Sequence, residues 1–566
     1  MSDSTQALPE NGDAAHAHDA PHRRSFLKLG GATLLAGGVA ASTAAAARPA
    51  GTAGPSARAA EPAGAVLTAD LPGPPDLQSL VPIPPQRIPA AVAKLDSIIK
   101  NVMARTGVPG LAAAVVQGGN LLYAKGFGVR DVNSPARVNA STVFHLASVS
   151  KPLSSTVVAG VVGQKVIGWT DPVVAHLPSF ALADPYVTGH VTYADLFSHT
   201  SGLPDHAGDL LEDLGYDQAY ILNRLRLEPL GPFRAQYEYT NFGLTAAAEA
   251  AAAAAGQSWA DLADRVLFGP AGMASSSFRN SDFLQRANRA AMHVKAGKRW
   301  VQKYTRDADP EAPAGGVSSN VLDLAHWLTL QLAEGDWKGR PIIDKDALGP
   351  TQLPHARSGQ PSSISARSGF YGYGLGVSYD YAGRTHFSHS GGFNEGAATV
   401  VNLLPSANLG IVVLTNGMPL GIPEAVAAYF YDYVEAGSEQ NDWLALYGGL
   451  FAGMYANHSE LAGQKPPTNP VPAQPDSFYT GTYGNDYYGP IRIVAQGRSL
   501  HLLIGPGPDD YPLTHWSDNV FSFYPTGENA LGITAATFNP ASGAAHASSV
   551  TLEYYNESGL GTFTRS

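Results

Sequence analysis

Strand-like segments lie at both ends of residues 86–460 and enclose a long helical middle. The strand patterns cover residues 111–116, 121–124, 374–379, 397–404 and 409–415. Apolar residues at helical spacing occur just outside them, over 92–102 and 423–435. Strands this far apart in the chain can share a core most simply as one antiparallel sheet. We therefore predict an α+β fold, with an antiparallel sheet flanked by helices and a mostly helical subdomain.

Two proline-rich segments divide the 566 residues into domains. Residues 48–85, rich in Ala and Pro, and residues 461–475 have the composition of linkers. The predicted globular domains are therefore 86–460 and 476–566. The second domain contains only strand patterns, over residues 477–483, 491–495, 499–504, 520–524 and 549–555. Short strands separated by turn residues predict a small all-β barrel.

The amino terminus has the pattern of a targeting segment. Arg23 and Arg24 precede a weakly apolar run rich in Gly and Ala, and Ala45–Ala47 offers small residues for cleavage. We interpret residues 1–47 as a twin-arginine export signal, which predicts a periplasmic or extracellular protein. The alternative is a membrane anchor, but the run is glycine-rich and weakly hydrophobic. No later segment is long and apolar enough to span a membrane.

Composition excludes several classes of function. The formal net charge of -11 argues against nucleic acid as a partner. The chain has no cysteine, so disulfides, thiolate metal sites and a cysteine nucleophile are all excluded. The histidines show no metal-binding spacing with acidic partners, and we predict no metal and no cofactor.

Ser148 and Lys151 stand three residues apart at the start of a helical pattern. On a helix this spacing places both side chains on one face, where an amine can activate a hydroxyl as a nucleophile. The same pattern at Ser25/Lys28 lies inside the export signal. Ser97/Lys100 is better explained by the polar face of a helix. Other motifs in the sequence must therefore decide whether Ser148 and Lys151 are catalytic.

Four further stretches supply that context: LFSHTSGLP (196–204), YTN (239–241), PAGGVSS (313–319) and SHSGGFNEG (388–396). In this order, the set resembles the serine β-lactamase-related hydrolases. These include class C β-lactamases, D-alanyl-D-alanine carboxypeptidases, D-aminopeptidases and esterases of one fold. The resemblance covers residues from about 88 to about 430. The final block resembles the lipocalin-like domain found in some members.

The resemblance implies a role for each matching residue. Ser148 would be the nucleophile, and Lys151 and Tyr239 would act as a coupled pair that takes its proton. Asn241 would place its amide beside Lys151 and the substrate. The backbone N–H groups of Ser148 and Gly392 would hold the oxyanion, and Gly391 would belong to the same substrate-binding strand.

His389 stands where β-lactamases carry the lysine of K-T-G, which holds a substrate carboxylate. A mostly neutral imidazole does this weakly, so efficient penicillin hydrolysis is not expected. His389 would either bind substrate or only shape the pocket. The best-supported function is an exported serine hydrolase that uses an acyl-enzyme. Small esters or amides are its expected substrates: D-amino-acid peptides, cell-wall fragments or carboxylic esters.

Other functions stay open on the sequence: a β-lactamase or D,D-carboxypeptidase proper, a penicillin-binding-protein-type peptide cyclase, or a non-catalytic binder of cell-wall peptide. The β-domain is expected to pack on the hydrolase domain and narrow access to Ser148, or to mediate homo-oligomer formation. Loops within 205–236 and 338–370 are expected to line the entrance.

Overall fold

The computed structural model describes residues 81–361, 363–541 and 543–566. The predicted export signal and most of the first predicted linker therefore lie outside the described residues. Among the helices that are described, every one is too short or too polar to cross a lipid bilayer.

One large sheet organises the first part of the described chain. The strands before residue 460 are β1 (Gly110–Gln117), β2 (Asn120–Gly128), β3 (Phe144–His145), β4 (Val294–Ala296), β5 (Arg299–Val301), β6 (Ser318–Ser319), β7 (Asp336–Trp337), β8 (Arg340–Pro341), β9 (Ala356–Gly359), β10 (Gly369–Tyr371), β11 (Gly376–Tyr379), β12 (Thr385–Phe393), β13 (Ala397–Leu404) and β14 (Leu409–Thr415). Eight of them form an antiparallel sheet in the order β2-β1-β14-β13-β12-β11-β10-β9. The first hairpin thus pairs with the last strand, and the predicted α+β architecture is confirmed.

Helices cover both faces of this sheet. The helices of the described chain are α1 (Arg87–Thr106), α2 (Ser150–Gly163), α3 (Pro185–His190), α4 (Tyr193–Phe197), α5 (Asp209–Asp213), α6 (Gln218–Arg224), α7 (Asn241–Ala254), α8 (Trp259–Ala263), α9 (Gly269–Ala271), α10 (Asn280–Gln285), α11 (Ala312–Gly315), α12 (Val321–Leu332), α13 (Lys345–Leu348), α14 (Ile422–Glu435), α15 (Trp443–Ala452) and α16 (Asp476–Tyr479). Alternate residues of β1 enter two cores. Leu111, Ala113 and Val115 pack with α1 and α14, whereas Ala112, Ala114 and Val116 share a core with α2 and α12.

The carboxyl-terminal strands close into an eight-stranded antiparallel barrel. They are β15 (Gly481–Gly484), β16 (Ile491–Gln496), β17 (Ser499–Ile504), β18 (Asp509–Ser517), β19 (Val520–Phe523), β20 (Thr534–Pro540), β21 (Ala547–Leu552) and β22 (Thr562–Arg565). Side chains fill its interior, as expected for a barrel of this size. Tyr479, Phe521 and Phe538 pack there edge to face, with ring centroids 4.8–5.6 Å apart. The predicted all-β barrel is confirmed.

The barrel differs from the strand predictions in detail. The strand predicted over 477–483 begins as helix α16, and β15 starts only at Gly481. The strand predicted over 549–555 ends at Leu552, where a 3-10 turn follows. Strands β18, β20 and β22 were not predicted. In β18, acidic residues and Pro512 obscure the alternation that buries Tyr511 and Leu513.

Candidate active site

Ser148 lies on a tight turn that leads directly into α2. A 3-10 turn covers Ala147–Val149, and Lys151 is in the first turn of the helix. Ala147 has φ 48°, a left-handed conformation that costs free energy for a residue with a Cβ. Such strain is kept only where the surrounding structure imposes it. Here it sets the direction from which Ser148 enters the cleft.

Strand β12 runs against this turn at Gly391. A Cβ at Gly391 would lie 2.1 Å from the Leu146 carbonyl oxygen and 3.0 Å from the Val149 nitrogen, so only glycine fits. A Cβ at Gly392 would meet Pro419 at 2.6 Å. The glycine pair therefore allows the strand to lie directly beside the turn that carries Ser148.

Lys151 is fully buried and donates to three acceptors. Its Nζ lies 3.0 Å from Ser148 Oγ, 2.6 Å from Asn241 Oδ1 and 3.1 Å from the Ala314 carbonyl oxygen. Burial lowers the pKa of Lys151 to about 8, although the carboxylates of Glu311, Asp209 and Glu212 oppose that shift. A substantial fraction of the amine is therefore neutral just above neutral pH.

Tyr239 approaches Ser148 from the segment that precedes α7. Its hydroxyl donates to Ser148 Oγ at 2.9 Å, and Lys151 Nζ lies 4.5 Å from the ring centroid. Burial raises the pKa of Tyr239 well above its usual range, more than the Ser148 hydrogen bond lowers it. The phenol is thus neutral and acts as a donor.

Asn241, the first residue of α7, connects Lys151 to a carboxylate. Its Oδ1 accepts from Lys151, and its Nδ2 donates to Asp209 Oδ2 at 3.0 Å. Asp209 Oδ2 also lies 2.7 Å from His206 Nδ1. Burial opposes protonation of His206, but Asp205 and Asp209 outweigh it and raise the pKa of His206 to about 10.

His389 is adjacent to this site but does not line the cleft. Its side chain is fully buried, with Nε2 2.9 Å from the Tyr371 hydroxyl and Nδ1 2.6 Å from the Ser390 carbonyl oxygen. Burial, followed by the charge of Lys151, lowers the pKa of His389 to about 3, so the imidazole is neutral. His199 is also buried; its Nδ1 accepts from the Thr240 nitrogen, and its ring packs 4.6 Å from that of Tyr239.

A cleft of about 540 Å³ opens at Ser148. Five of the sequence-predicted residues line it: Ser148, Tyr239, Asn241, Gly391 and Gly392. Residues 205–210 and Glu212, which lead into and start α5, also line it, whereas none of the described residues within 338–370 does so.

The barrel supplies one wall of the same cleft. Tyr487, Tyr488 and Glu528 are among its lining residues. The Glu528 carboxylate accepts from the backbone nitrogens of Asn394 at 2.5 Å and Glu395 at 3.2 Å, just beyond the Gly391–Gly392 pair. Burial raises the pKa of Glu528 to about 8. The barrel is therefore packed on the first domain at the edge of the cleft, beside the strand that faces Ser148.

Sequence reasoning did not identify the charged groups of the cleft. Arg306 lies among Glu212, Asp213 and Glu311, with nitrogen–oxygen distances of 2.7, 4.0 and 3.2 Å. Position in the sequence gave one usable signal, since 205–212 directly follows the LFSHTSGLP stretch. Glu311 lies two residues before PAGGVSS, but Arg306 belongs to no recognisable motif.

One cluster of potential metal ligands lies apart from the cleft in the described part of the chain. Asp380, His386 and Glu435 offer ligand atoms within 4.8 Å of one another. Protein partners already engage them: Arg384 bonds Asp380 at 2.7 Å, and Asn402 bonds His386 at 2.9 Å. The arrangement is a buried ion-pair network.

Comparison with known proteins agrees with this geometry. A sequence model of the family described as Beta-lactamase matches residues 95–434, and one described as a domain of unknown function, DUF3471, matches residues 465–558. A curated relative from Aspergillus violaceofuscus, named Unguisins hydrolase ungD, is 25% identical over 435 residues, covering 70% of this chain and 75% of its own length.

Two solved structures share the fold. The octameric penicillin-binding protein homologue from Pyrococcus abyssi is 20% identical with a TM-score of 0.54, over 82% of this chain and 98% of its own. A class C beta lactamase from Rhodobacter sphaeroides is 21% identical with a TM-score of 0.50, over 59% of this chain and 97% of its own. The first of these alignments extends well beyond residues 95–434.

Proposed function

Because this chain belongs to the Beta-lactamase family, we propose that it is an exported serine hydrolase that forms an acyl-enzyme on Ser148. Its substrates are small esters or amides: D-amino-acid peptides, cell-wall fragments or carboxylic esters. One observation carries the proposal. Ser148 Oγ accepts hydrogen bonds from Lys151 Nζ at 3.0 Å and from the Tyr239 hydroxyl at 2.9 Å, at the floor of an open cleft.

We assign different roles to the two neighbours of Ser148, supported by the opposite directions of their pKa shifts. Neutral Lys151 takes the hydroxyl proton as Ser148 Oγ attacks the acyl carbonyl carbon. The backbone N–H groups of Ser148 and Gly392 hold the oxyanion that forms. When the bond to the leaving group breaks, the Tyr239 phenol donates its proton to that group and regains one from Lys151. Water then attacks the acyl-enzyme by the reverse transfers, which release the acid and restore Ser148.

The same site argues against a β-lactamase proper. A β-lactam carries a carboxylate that needs a fixed positive charge, and His389 is neutral and fully buried. Carboxyl groups also outnumber the cations Arg306 and His206 in the lining of the cleft, which disfavours such a substrate. These two features favour esters and amides without a carboxylate at that position.

The peptide cyclase and the non-catalytic binder remain the alternatives. The twin-arginine motif argues against a cyclase, because the substrates of such enzymes are made in the cytoplasm. Two Aspergillus relatives carry the name hydrolase, which supports turnover rather than binding alone. The complete set of Ser148, Lys151, Tyr239 and Asn241 supports the same choice.

We also infer that the chain forms homo-oligomers. A solved structure of the same fold is described as octameric, and its alignment covers 82% of this chain. The barrel still has an outward-facing surface after its docking on the first domain. Light scattering of the purified protein tests this inference directly.

Covalent labelling tests the proposed function. The protein is incubated with p-nitrophenyl butyrate or a penicillin, quenched in acid and weighed intact. We expect a mass increase equal to one acyl group, located at Ser148 after digestion, and no increase in Ser148→Ala. If no ester, D-aminoacyl amide or β-lactam gives an adduct or is turned over, the proposed function is wrong and the non-catalytic binder is supported.

The rate should rise with pH through the pKa of Lys151. The amine accepts a proton only when neutral, and its pKa is about 8, so kcat/KM for a neutral ester should increase about tenfold between pH 7 and pH 9. Steady-state kinetics over this range, corrected for spontaneous hydrolysis, provide the measurement. A flat profile with an intact fold would contradict Lys151 as the base.

A further inference from the structure

Three buried carboxylates form part of the lining of the cleft beside Ser148. Asp209, Glu212 and Glu311, which we name the carboxylate wall, expose only 7%, 5% and 4% of their side chains. All three line the cleft that contains Ser148. They are also the three carboxylates whose charges act on Lys151. The wall therefore lies within electrostatic reach of the reacting atoms.

Each member of the wall has one oxygen without a hydrogen-bond partner. Arg306 Nη2 bonds Glu212 Oε2 at 2.7 Å and Glu311 Oε1 at 3.2 Å. Among the described residues, Glu212 Oε1, Glu311 Oε2 and Asp209 Oδ1 have none. Buried polar atoms are normally satisfied, so three unpartnered oxygens along one cleft indicate a missing donor.

Negative charge exceeds positive charge at this place. Arg306 is the cation shared by Glu212 and Glu311, and protonated His206 pairs with Asp209. Asp213 and Glu528 add two further buried carboxyl groups near Arg306, so carboxyl groups still outnumber these cations. Burial raises the pKa of Glu212 well above its usual range, and repulsion by Glu311 adds to the shift. Burial also raises the pKa of Glu311. A cation in the cleft would relieve this repulsion.

We propose that the carboxylate wall binds a positively charged nitrogen, such as a protonated amine, on the acyl half of the substrate. The inference rests on the proposed function and narrows its substrate class to cationic acyl donors. The acyl half remains bonded to Ser148 after the leaving group departs. A site formed by deeply buried side chains suits that retained half, and low-dielectric walls strengthen the attraction.

A pair of esters that differ only in charge tests the proposal. The cationic probe is p-nitrophenyl 6-aminohexanoate, whose amine is protonated and can donate hydrogen bonds, and its neutral isostere is p-nitrophenyl heptanoate, with a methyl group in place of the ammonium. We expect wild-type kcat/KM to be about tenfold higher or more for the cation, by Coulombic attraction in a partly buried site. Equal values for the two esters would overturn the proposal while leaving the serine hydrolase intact.

Binding without turnover separates the two hypotheses. In Ser148→Ala, calorimetry should give about tenfold tighter binding of the cationic ester than of the isostere, whether or not the wild type hydrolyses either one. Equal affinities there would refute the cation site independently of catalysis. If neither ester acylates the wild type but the cation binds more tightly, the proposed function fails and the carboxylate wall stands.

Variants locate the site. Glu212→Gln and Glu311→Gln keep the side-chain shape but cannot ionise when a cation binds, and each should bring the cation-to-neutral ratio of kcat/KM towards one. Glu460→Gln is the matched control, because Glu460 is exposed and does not line the cleft. It should keep the wild-type ratio. If both wall variants keep the wild-type cation-to-neutral ratio and a melting temperature near that of the wild type, the carboxylate wall is not the source of the selectivity.

Discussion

Replacing Lys151 by methionine should lower kcat/KM for a chromogenic ester about a thousandfold, within the range that general bases contribute. Methionine has a similar length and no proton-accepting nitrogen, so Ser148 would lose its base. The hydrogen bonds to Asn241 Oδ1 and the Ala314 carbonyl would also be lost. Leaving buried acceptors unpaired costs about 1–3 kcal/mol each, so thermal unfolding should accompany the kinetics.

Lys100→Met provides the matched control. Ser97 and Lys100 have the same spacing as Ser148 and Lys151, but Lys100 is exposed on α1 and the Ser97 hydroxyl donates to the Lys94 carbonyl instead. This variant should keep the wild-type rate. A loss of less than tenfold in Lys151→Met, with the fold retained, would exclude Lys151 as the base.

The order of short motifs was enough to predict which distant residues would meet. Ser148 and Lys151 are local, and their spacing alone placed them on one face of a helix. Tyr239 is 91 residues away from Ser148, and no local rule connects them. The YTN and SHSGG stretches identified these partners because the fold holds those segments at the same place.

The electrostatics could not be predicted from those motifs. Arg306 reaches Glu212 across 94 residues, and their pairing depends on how the helical region folds over the cleft. The burial of His389 could not be predicted either. The position of a residue in a strand indicates which face of the sheet it is on, but not which residues cover that face. Charge balance in a cleft is a property of the packed molecule, which is why the carboxylate wall emerged only from the structure.

The barrel illustrates the same limit. Five of its eight strands alternate clearly enough that an all-β barrel could be predicted, but β18, β20 and β22 were missed and the ends of two others differ. Its contact with the cleft rests on single residues such as Glu528 and Asp213. The carboxylate of Asp213 accepts from the backbone nitrogens of Glu528 and Asn529 at 3.0 and 3.1 Å. Domain docking of this kind leaves no periodic signal in either segment.

Replacing Tyr239 by phenylalanine should slow amide hydrolysis about a hundredfold and ester hydrolysis much less. An amine leaves only after it is protonated, and the Tyr239 phenol, held neutral by its raised pKa and 2.9 Å from Ser148 Oγ, is the donor we propose. A p-nitrophenolate leaves without a proton. The measurement is the ratio of kcat/KM for a D-aminoacyl amide to that for the p-nitrophenyl ester of the same acid.

Tyr371→Phe is the control that separates proton transfer from packing. Tyr371 is fully buried in the same aromatic cluster as Tyr239, but its hydroxyl lies 2.9 Å from His389 Nε2 rather than at Ser148. Its loss should leave the amide-to-ester ratio unchanged, because the phenol of Tyr239 alone serves the leaving group. Equal losses for amide and ester in Tyr239→Phe would instead mean that the phenol only positions Ser148, and Lys151 would then have to return the proton itself.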